Sequence, residues 1–452
     1  MLTRADIQFI VDNEKGDVSR LLLGKAPQGV NLQLCCKCIQ AREKMKVKAP
    51  LWYANPSLVY PFSVSVEQGS SQTTALFKQK IIAGLFTASV PAAESVPVAD
   101  NFLVEETTPV ADSILRGKEG ISEDGIVAES IPRGLVTADL TGGMGIDSFF
   151  ISQIADTHYY FERNGELCRA TEYNLGQLGA GNIKFANRDV TADDCAALRE
   201  LEGKGVDILY IDPARRTQQG GKAILLQDYE PNVIELQERM FAVSRHILVK
   251  VSPMADIKLN LKYLPKTKAV YVLSVDNECK ELLFLLDREH NGQEPIISCV
   301  DCNSRNGEMK SFNLTIKEEE ESVANYSNSI GKYIYEPNKA VMKGGGYKLV
   351  STRFNCGKLA PSTHLYTSNE MTNDFPGKIF SVEEVIPFNK KTLKDVAKRY
   401  PKADITARNF PLDTNSLKKL SGIKDGGERH IFAVTLSNGD KILIITAYVV
   451  YL

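Results

Sequence analysis

The sequence lacks any run of the ~18 apolar residues needed to span a bilayer, and Met1 to Asn13 contain no basic stretch followed by an apolar core. No membrane association is therefore expected, and the chain reads as cytoplasmic. In that reducing compartment its nine cysteines have no reason to form a disulfide framework. Zinc spacing is missing as well. Cys35, Cys36 and Cys38 fall in a helical pattern, and the Cys299/Cys302 pair has no second pair to complete a site, so no metal is expected. A strong net charge is also absent: the total of −2 gives no global field that would attract a polyanion.

What is present is enough apolar material, 43% of 452 residues, to fill the cores of two to four domains. Residues 1–88 read as an N-terminal helical domain, with apolar residues at intervals of three and four over 6–23 and 32–46. Residues 89–133 are rich in Ser, Pro, Ala, Val and acids and read as a linker or insertion. Strand and helix patterns then alternate over 134–287, as in a parallel sheet covered on both faces. Residues 269–275 and 281–286 are too close for a crossover and demand an antiparallel hairpin at the end of that sheet. Residues 288–330 form a connecting segment with a hairpin and an acidic, solvated run at Glu318 to Glu321. Residues 331–452 read as an α+β domain that closes on a hairpin turning at Asn438-Gly439. It carries 19 Lys+Arg against 11 Asp+Glu, a local excess that fits nucleic acid, although a row such as Lys390, Lys391, Lys394, Lys398 and Arg399 also suits a solvated helix face.

The stretch that organises the chain is Asp139-Leu-Thr141-Gly142-Gly143-Met-Gly145-Ile-Asp147, a strand end, a glycine turn and a helix start. Glycines there let a ligand approach the backbone closely. The spacing is not Gly-x-Gly-x-x-Gly, and an acid before the glycines would repel a diphosphate. It suits a ligand with an ammonium group and a ribose, such as S-adenosylmethionine. Glu162 ends the second strand, where a carboxylate can accept from both ribose hydroxyls. Asp189 is expected to end the third strand, where it would accept from an adenine amine.

The fourth strand, 206–211, runs into Asp212-Pro213-Ala214-Arg215-Arg216. Pro213 cannot continue the ladder and forces the chain out over the crevice. Asp212 is placed to meet the acceptor group, and Arg215 and Arg216 offer forks for phosphate, or neutralise nearby acids. Lys250, in the fifth strand, either snorkels to water or faces the site. Upstream, Glu67, Gln68, Ser70, Ser71 and Thr74 either cover the cofactor pocket or supply only a helix cap.

In this order, Asp139 to Asp147, Glu162, Asp189, Asp212 to Arg216 and the closing hairpin resemble a class I S-adenosylmethionine-dependent methyltransferase. With Tyr335 to Ala340 and Arg408 to Pro411, the chain is similar to the bacterial proteins of that family that carry a C-terminal THUMP-like domain. The resemblance implies an α/β, Rossmann-like seven-stranded sheet whose last strand is antiparallel, with S-adenosylmethionine as cofactor and RNA as partner through the C-terminal domain. It implies Asp212 and Pro213 as catalytic, and Arg215, Arg216 and Lys250 as substrate-binding. Asp139, Thr141, Gly142, Gly143, Gly145, Asp147, Glu162 and Asp189 would bind the cofactor. The loop departs from the base-amine methyltransferases in having no aromatic after the proline. Methylation of a small molecule or protein, or a non-catalytic RNA-binding factor retaining the fold, also agrees with the sequence.

Overall fold

The computed structural model describes residues 2–87, 134–191, 195–215 and 226–449, so the expected linker and Arg216 lie outside the described residues. Two compact units are present: Met1–Asp276 with Lys280–Pro295 and Cys302–Glu308, and Asn277–Cys279 with Ile296–Asp301 and Met309–Leu452.

The first unit opens with helices α1 (Arg4–Asp12), α2 (Val18–Leu23), α3 (Leu32–Lys48), α4 (Pro50–Ala54), α5 (Ser63–Gln68) and α6 (Gln72–Phe86). The single helix expected over 6–23 is two helices. A Thr3/Asp6 capping box starts the first, Asn13 ends it, and Asp17 accepts from Ser19 N to start the second. Ser71 caps α6 by accepting from Thr74 N at 3.2 Å.

These helices share a core with the sheet region. Trp52, wholly buried, packs edge-on against Phe149 at 5.1 Å between centroids. The Asn174 amide pairs in both directions with the backbone of Val59, at 2.8 Å each way.

The sheet strands of this unit are β1 (Val136–Asp139), β2 (Thr157–Phe161), β3 (Ile183–Ala186), β4 (Val206–Ile211), β5 (Ser244–Val251), β6 (Thr267–Val275) and β7 (Glu278–Asp287). Its helices are α7 (Ile146–Ser152), α8 (Gly165–Gln177), α9 (Ala196–Leu201), α10 (Val233–Val243) and α11 (Ile257–Tyr263). These seven strands lie in the order β6-β7-β5-β4-β1-β2-β3. β1, β2, β3, β4 and β5 pair in parallel, and β7 is antiparallel to β5. The expected last-strand hairpin is present and tighter than its pattern suggested. Its turn is Asp276-Asn277, both in the left-handed region.

β3 is shorter than expected. It ends at Ala186 because the Asn187 side chain donates to the carbonyls of Glu162 (2.7 Å) and Arg163 (2.9 Å) and draws the chain off the ladder. Asp189 therefore sits in the following loop and not at the strand end.

The second unit contains the pair β8 (Ile296–Cys302) and β9 (Met309–Leu314), then α12 (Ile316–Glu321), and a seven-stranded sheet. The sheet strands are β10 (Tyr333–Pro337), β11 (Gly357–Ala360), β12 (Thr363–Ser368), β13 (Gly377–Pro387), β14 (Asp404–Arg408), β15 (Arg429–Thr435) and β16 (Lys441–Tyr448). Their order is β11-β12-β10-β13-β16-β15-β14, antiparallel except for β14 on β15. Helices α13 (Lys339–Gly344), α14 (Tyr347–Arg353), α15 (Lys390–Arg399) and α16 (Thr414–Ser421) complete it. Gly344 and Gly346 fill packing constraints here, because a Cβ would lie 2.2 Å from Cys299 Sγ or 2.7 Å from the Phe312 ring. Glu319 of the acidic run is engaged, accepting from the backbone N–H of Lys348 and Leu349 at the start of α14.

In the first unit the glycine turn depends on one close approach. A Cβ on Gly142 would lie 2.1 Å from the Tyr160 ring, and that ring is fully buried and tied by its hydroxyl to Gly143 O at 2.6 Å. Gly142→Ala should therefore lower the unfolding free energy by about 1–3 kcal/mol, as overpacking does. Gly176→Ala, in α8 with nothing within 4 Å of the new Cβ, should raise it by about 0.4–1 kcal/mol. Thermal or urea unfolding of the two variants should thus show shifts of opposite sign.

Candidate active site

The carboxyl ends of β1, β2, β4 and β5 bring most of the expected residues to one crevice. The acid at the end of β1, Asp139, is 1% exposed. Its Oδ1 accepts from Thr141 N (2.9 Å) and its Oδ2 from the Ser148 hydroxyl (2.7 Å), which fixes the glycine turn from within. Burial pushes its carboxyl up to about 7, only partly offset by the Ser148 and Thr141 bonds, and the negative neighbours Asp147 and Asp212 add to the rise.

Thr141 links two loops, since its hydroxyl accepts from the Asp212 N–H at 2.7 Å. Gly143 and Gly145 take left-handed φ of 55° and 76°. The Gly143 N–H donates to Glu162 Oε2 at 3.0 Å, and the other Glu162 oxygen accepts from Asn164 N at 2.7 Å. Glu162 is thus oriented at the rim of the crevice and half-buried. Asp189 is not drawn into this group; its Oδ1 accepts from the amide and hydroxyl of Thr191.

Behind the turn lies an ionic cluster whose other half comes from α6 and β7. Lys78, on α6, has no exposed side-chain surface. Its Nζ lies 3.1 Å from Asp147 Oδ1 and 2.8 Å and 3.0 Å from the two oxygens of Glu281. Asp147 also accepts from the hydroxyls of Ser70 (2.6 Å) and Tyr210 (2.9 Å). Burial alone would raise the Asp147 carboxyl, but Lys78 and Lys250 outweigh it and hold it below its ordinary value. Burial dominates at Glu281 and raises its carboxyl in spite of both lysines.

Lys250 turns into the site and does not snorkel away. Its Nζ contacts Asp212 Oδ2 at 2.5 Å and Ser70 Oγ at 3.3 Å, and Glu281 lies 3.9 Å off. Burial works against its charge, but Asp212, Glu281 and Asp147 prevail and raise its pKa. Asp212, at 31% side-chain exposure, is the open end of the cluster. Pro213 is buried. Ala214-Arg215 forms a two-residue bridge with Tyr229-Glu230; the Arg215 side chain, like Arg216, lies outside the described residues.

Sequence reasoning missed Lys78, Glu281, Ser148 and the role of Tyr210. A signal existed for the first: Lys78 falls on the face of α6 that carries Ala75, Ile81 and Ile82, where an unpaired ammonium would not be tolerated. Glu281 likewise precedes the apolar run 282–286. Of the polar residues before the turn, Ser70 enters the cluster, whereas Glu67 pairs with Lys44 on the surface.

In the second unit, Arg399, Lys402, Lys424 and Arg429 line an open cleft with Tyr400. Arg399 and Arg429 are paired with Glu384 and Glu383, while Lys402 and Lys424 stand exposed. Among the described residues no group of His, Cys, Asp and Glu could hold a metal ion, and no helix is long and apolar enough to cross a membrane.

Comparison with known proteins adds to this geometry. Two family models match the second unit, a ferredoxin-like domain over residues 333–376 and a THUMP domain-like model over 377–447. No curated protein sequence matches the chain significantly. Among solved structures, a presumed methyltransferase from Porphyromonas gingivalis W83 is 28% identical, with a TM-score of 0.79 over 99% of this chain and 98% of its own. An rRNA methylase from Streptococcus thermophilus (14% identity, TM-score 0.26) matches 35% of this chain and 91% of its own. A presumed methyltransferase from Streptococcus mutans, solved with SAH (15%, 0.27), matches 35% and 92%. Sheet order and the match along nearly all of the P. gingivalis protein agree: the chain has a Rossmann-like methyltransferase fold, followed by a unit that matches a THUMP domain-like model.

Proposed function

We propose that the chain is an S-adenosylmethionine-dependent methyltransferase acting on RNA. The observation that carries the reading is the gathering in the crevice of four carboxyl groups, Asp139, Asp147, Asp212 and Glu281, around the ammonium groups of Lys78 and Lys250, with burial and negative neighbours holding Asp139 up at about 7 and raising Glu281. An excess of buried negative charge is costly unless a cation completes it. A sulfonium with an α-ammonium group answers that need, and the donor set fits it. When bound, this cofactor supplies an electrophilic methyl group. Glu162, already aimed by the Gly143 and Asn164 amides, would hold the ribose hydroxyls, and Asp189 would meet the adenine from its loop. Asp139 and Asp147 would act mainly through their charge, because their oxygens are engaged within the protein. Asp212, with Pro213 fixing its loop, would meet the acceptor, with Arg215 and Arg216 near the substrate phosphates.

RNA as substrate is supported by the THUMP domain-like match and by the cleft of Lys402 and Lys424 in the same unit. Lys→Glu changes at both should weaken binding of total RNA at least tenfold at low salt and flatten its salt dependence, read by filter binding. Retention of wild-type RNA affinity would favour methylation of a small molecule or protein.

Calorimetry with S-adenosylmethionine tests the cofactor site directly. Glu162→Ala should weaken binding at least tenfold, the scale of a lost hydrogen-bonded carboxylate. The pH dependence has a definite sign. A cationic ligand prefers ionised Asp139, whose carboxyl sits at about 7, so affinity should rise with pH by up to about tenfold between pH 6 and pH 8 and then level off. Asp139→Asn should remove that component of the slope. No binding by the unaltered chain, with or without RNA, would leave a non-catalytic RNA-binding factor as the better account.

A further inference from the structure

The geometry points to a hydroxyl, the 2′-hydroxyl of a ribose in RNA, as the acceptor group, with Lys250 and Asp212 as catalytic residues and Lys78 with Glu281 as positioning residues. This rests on the methyltransferase reading above and concerns which atom receives the methyl.

The first reason is the sign of the charge that develops. A nitrogen that attacks a methyl group becomes positive, whereas a hydroxyl oxygen must shed its proton and become negative. The point where Asp212 meets the acceptor is occupied by the Lys250 ammonium, 2.5 Å from Asp212 Oδ2. A fixed cation there opposes a nascent ammonium and stabilises a nascent alkoxide. Carboxylates on three sides, Asp212, Glu281 and Asp147, keep that cation charged.

The second reason is the lack of a ring to hold a base. An exocyclic amine is presented by stacking its base, and the loop continues from Asp212 with Pro213, Ala214, Arg215 and Arg216, none of them aromatic. The two nearby tyrosines do not substitute. Tyr210 is 2% exposed with its hydroxyl on Asp147, and Tyr229 is 2% exposed with its hydroxyl accepting from Ser252 N.

The third reason is how the pair is held. Ser70 Oγ lies within 3.3 Å of both Lys78 Nζ and Lys250 Nζ, and Glu281 lies between the same two groups. Lys78 has no access to the crevice, so it acts by fixing Glu281 and Asp147, which in turn aim Lys250 at Asp212.

In the reaction the ribose hydroxyl gives its proton to the Asp212 carboxylate while Lys250 stays an ammonium and steadies the oxygen. An oxygen lone pair forms the new O–C bond as the C–S bond breaks. The electron pair of that bond passes to sulfur, so the sulfonium charge is lost, and Asp212 returns the proton to water.

The test uses the full chain, tritium-labelled S-adenosylmethionine and total RNA from cells that lack the protein, followed by alkaline hydrolysis. Alkali cleaves RNA through the 2′-hydroxyl, so a methyl on that oxygen leaves a resistant dinucleotide. Label in dinucleotides is the expected result. Label in mononucleotides would place the methyl on a base and overturn the hydroxyl assignment while leaving the methyltransferase reading intact; no label in any RNA, with no cofactor binding, would overturn both. Lys250→Met and Lys78→Met should still bind S-adenosylhomocysteine by calorimetry, no more weakly than the unaltered chain, since loss of a cation does not disfavour the ligand's ammonium group. Transfer should fall at least a hundredfold, in kcat and not in the KM for cofactor, and Lys250→Arg, which keeps the cation, should recover part of it. Transfer by Lys250→Met within threefold of the unaltered chain would overturn the role of the lysine.

Discussion

An ammonium with no access to water has to be met by negative charge, and Lys78 is met by two carboxylates from distant parts of the chain, Asp147 and Glu281. Removing one partner of such a buried pair costs about 3–5 kcal/mol because the other is left uncompensated. The contact ties an N-terminal helix to the helix after the glycine turn and to the antiparallel strand of the sheet. Through Ser70 it also reaches Lys250 and hence Asp212. The N-terminal helices are thus part of the crevice wall as well as of the core they share with Phe149 and Phe150.

The turn in front of this cluster is built from the opposite ingredient, missing side chains. Gly142 lies against the Tyr160 ring and Gly145 against Thr171 and Leu175, in a left-handed conformation. Asp139 then spends its oxygens on Thr141 and Ser148 and so holds the turn in shape. A rigid turn and a buried charged cluster together give the proposed site a fixed arrangement of charge, which is where electrostatic stabilisation would have most effect.

Much of this was legible. Alternation of apolar runs with helical patterns, glycines after Asp139 and the proline after Asp212 mark strand ends, because each reflects local steric or hydrogen-bonding rules that act within a few residues. The antiparallel hairpin followed from the short spacing alone, and the final hairpin, where Thr435 faces Lys441, from its Asn438-Gly439 turn. Local rules were weaker where a side chain competes with the ladder. Asn187 ends β3 early and leaves Asp189 in a loop, and Asp17 splits the first expected helix. Gly344 and Gly346 are spaces left for Cys299 and Phe312, which no local pattern announces.

The sequence by itself determined the order of elements, the class of fold and the acids Asp139, Glu162 and Asp212 at or just after the ends of their strands, since these depend on periodicity and on residues that break it. Only the tertiary structure decided which charges meet. Lys78 and Glu281 are 203 positions apart, and Ser70 and Lys250 are 180 apart. No local pattern encodes such pairs, because their energy arises from exclusion of water at a point where several segments converge. For the same reason Lys250, which in sequence could have reached solvent, faces Asp212: the buried carboxylates around it make inward the favourable direction.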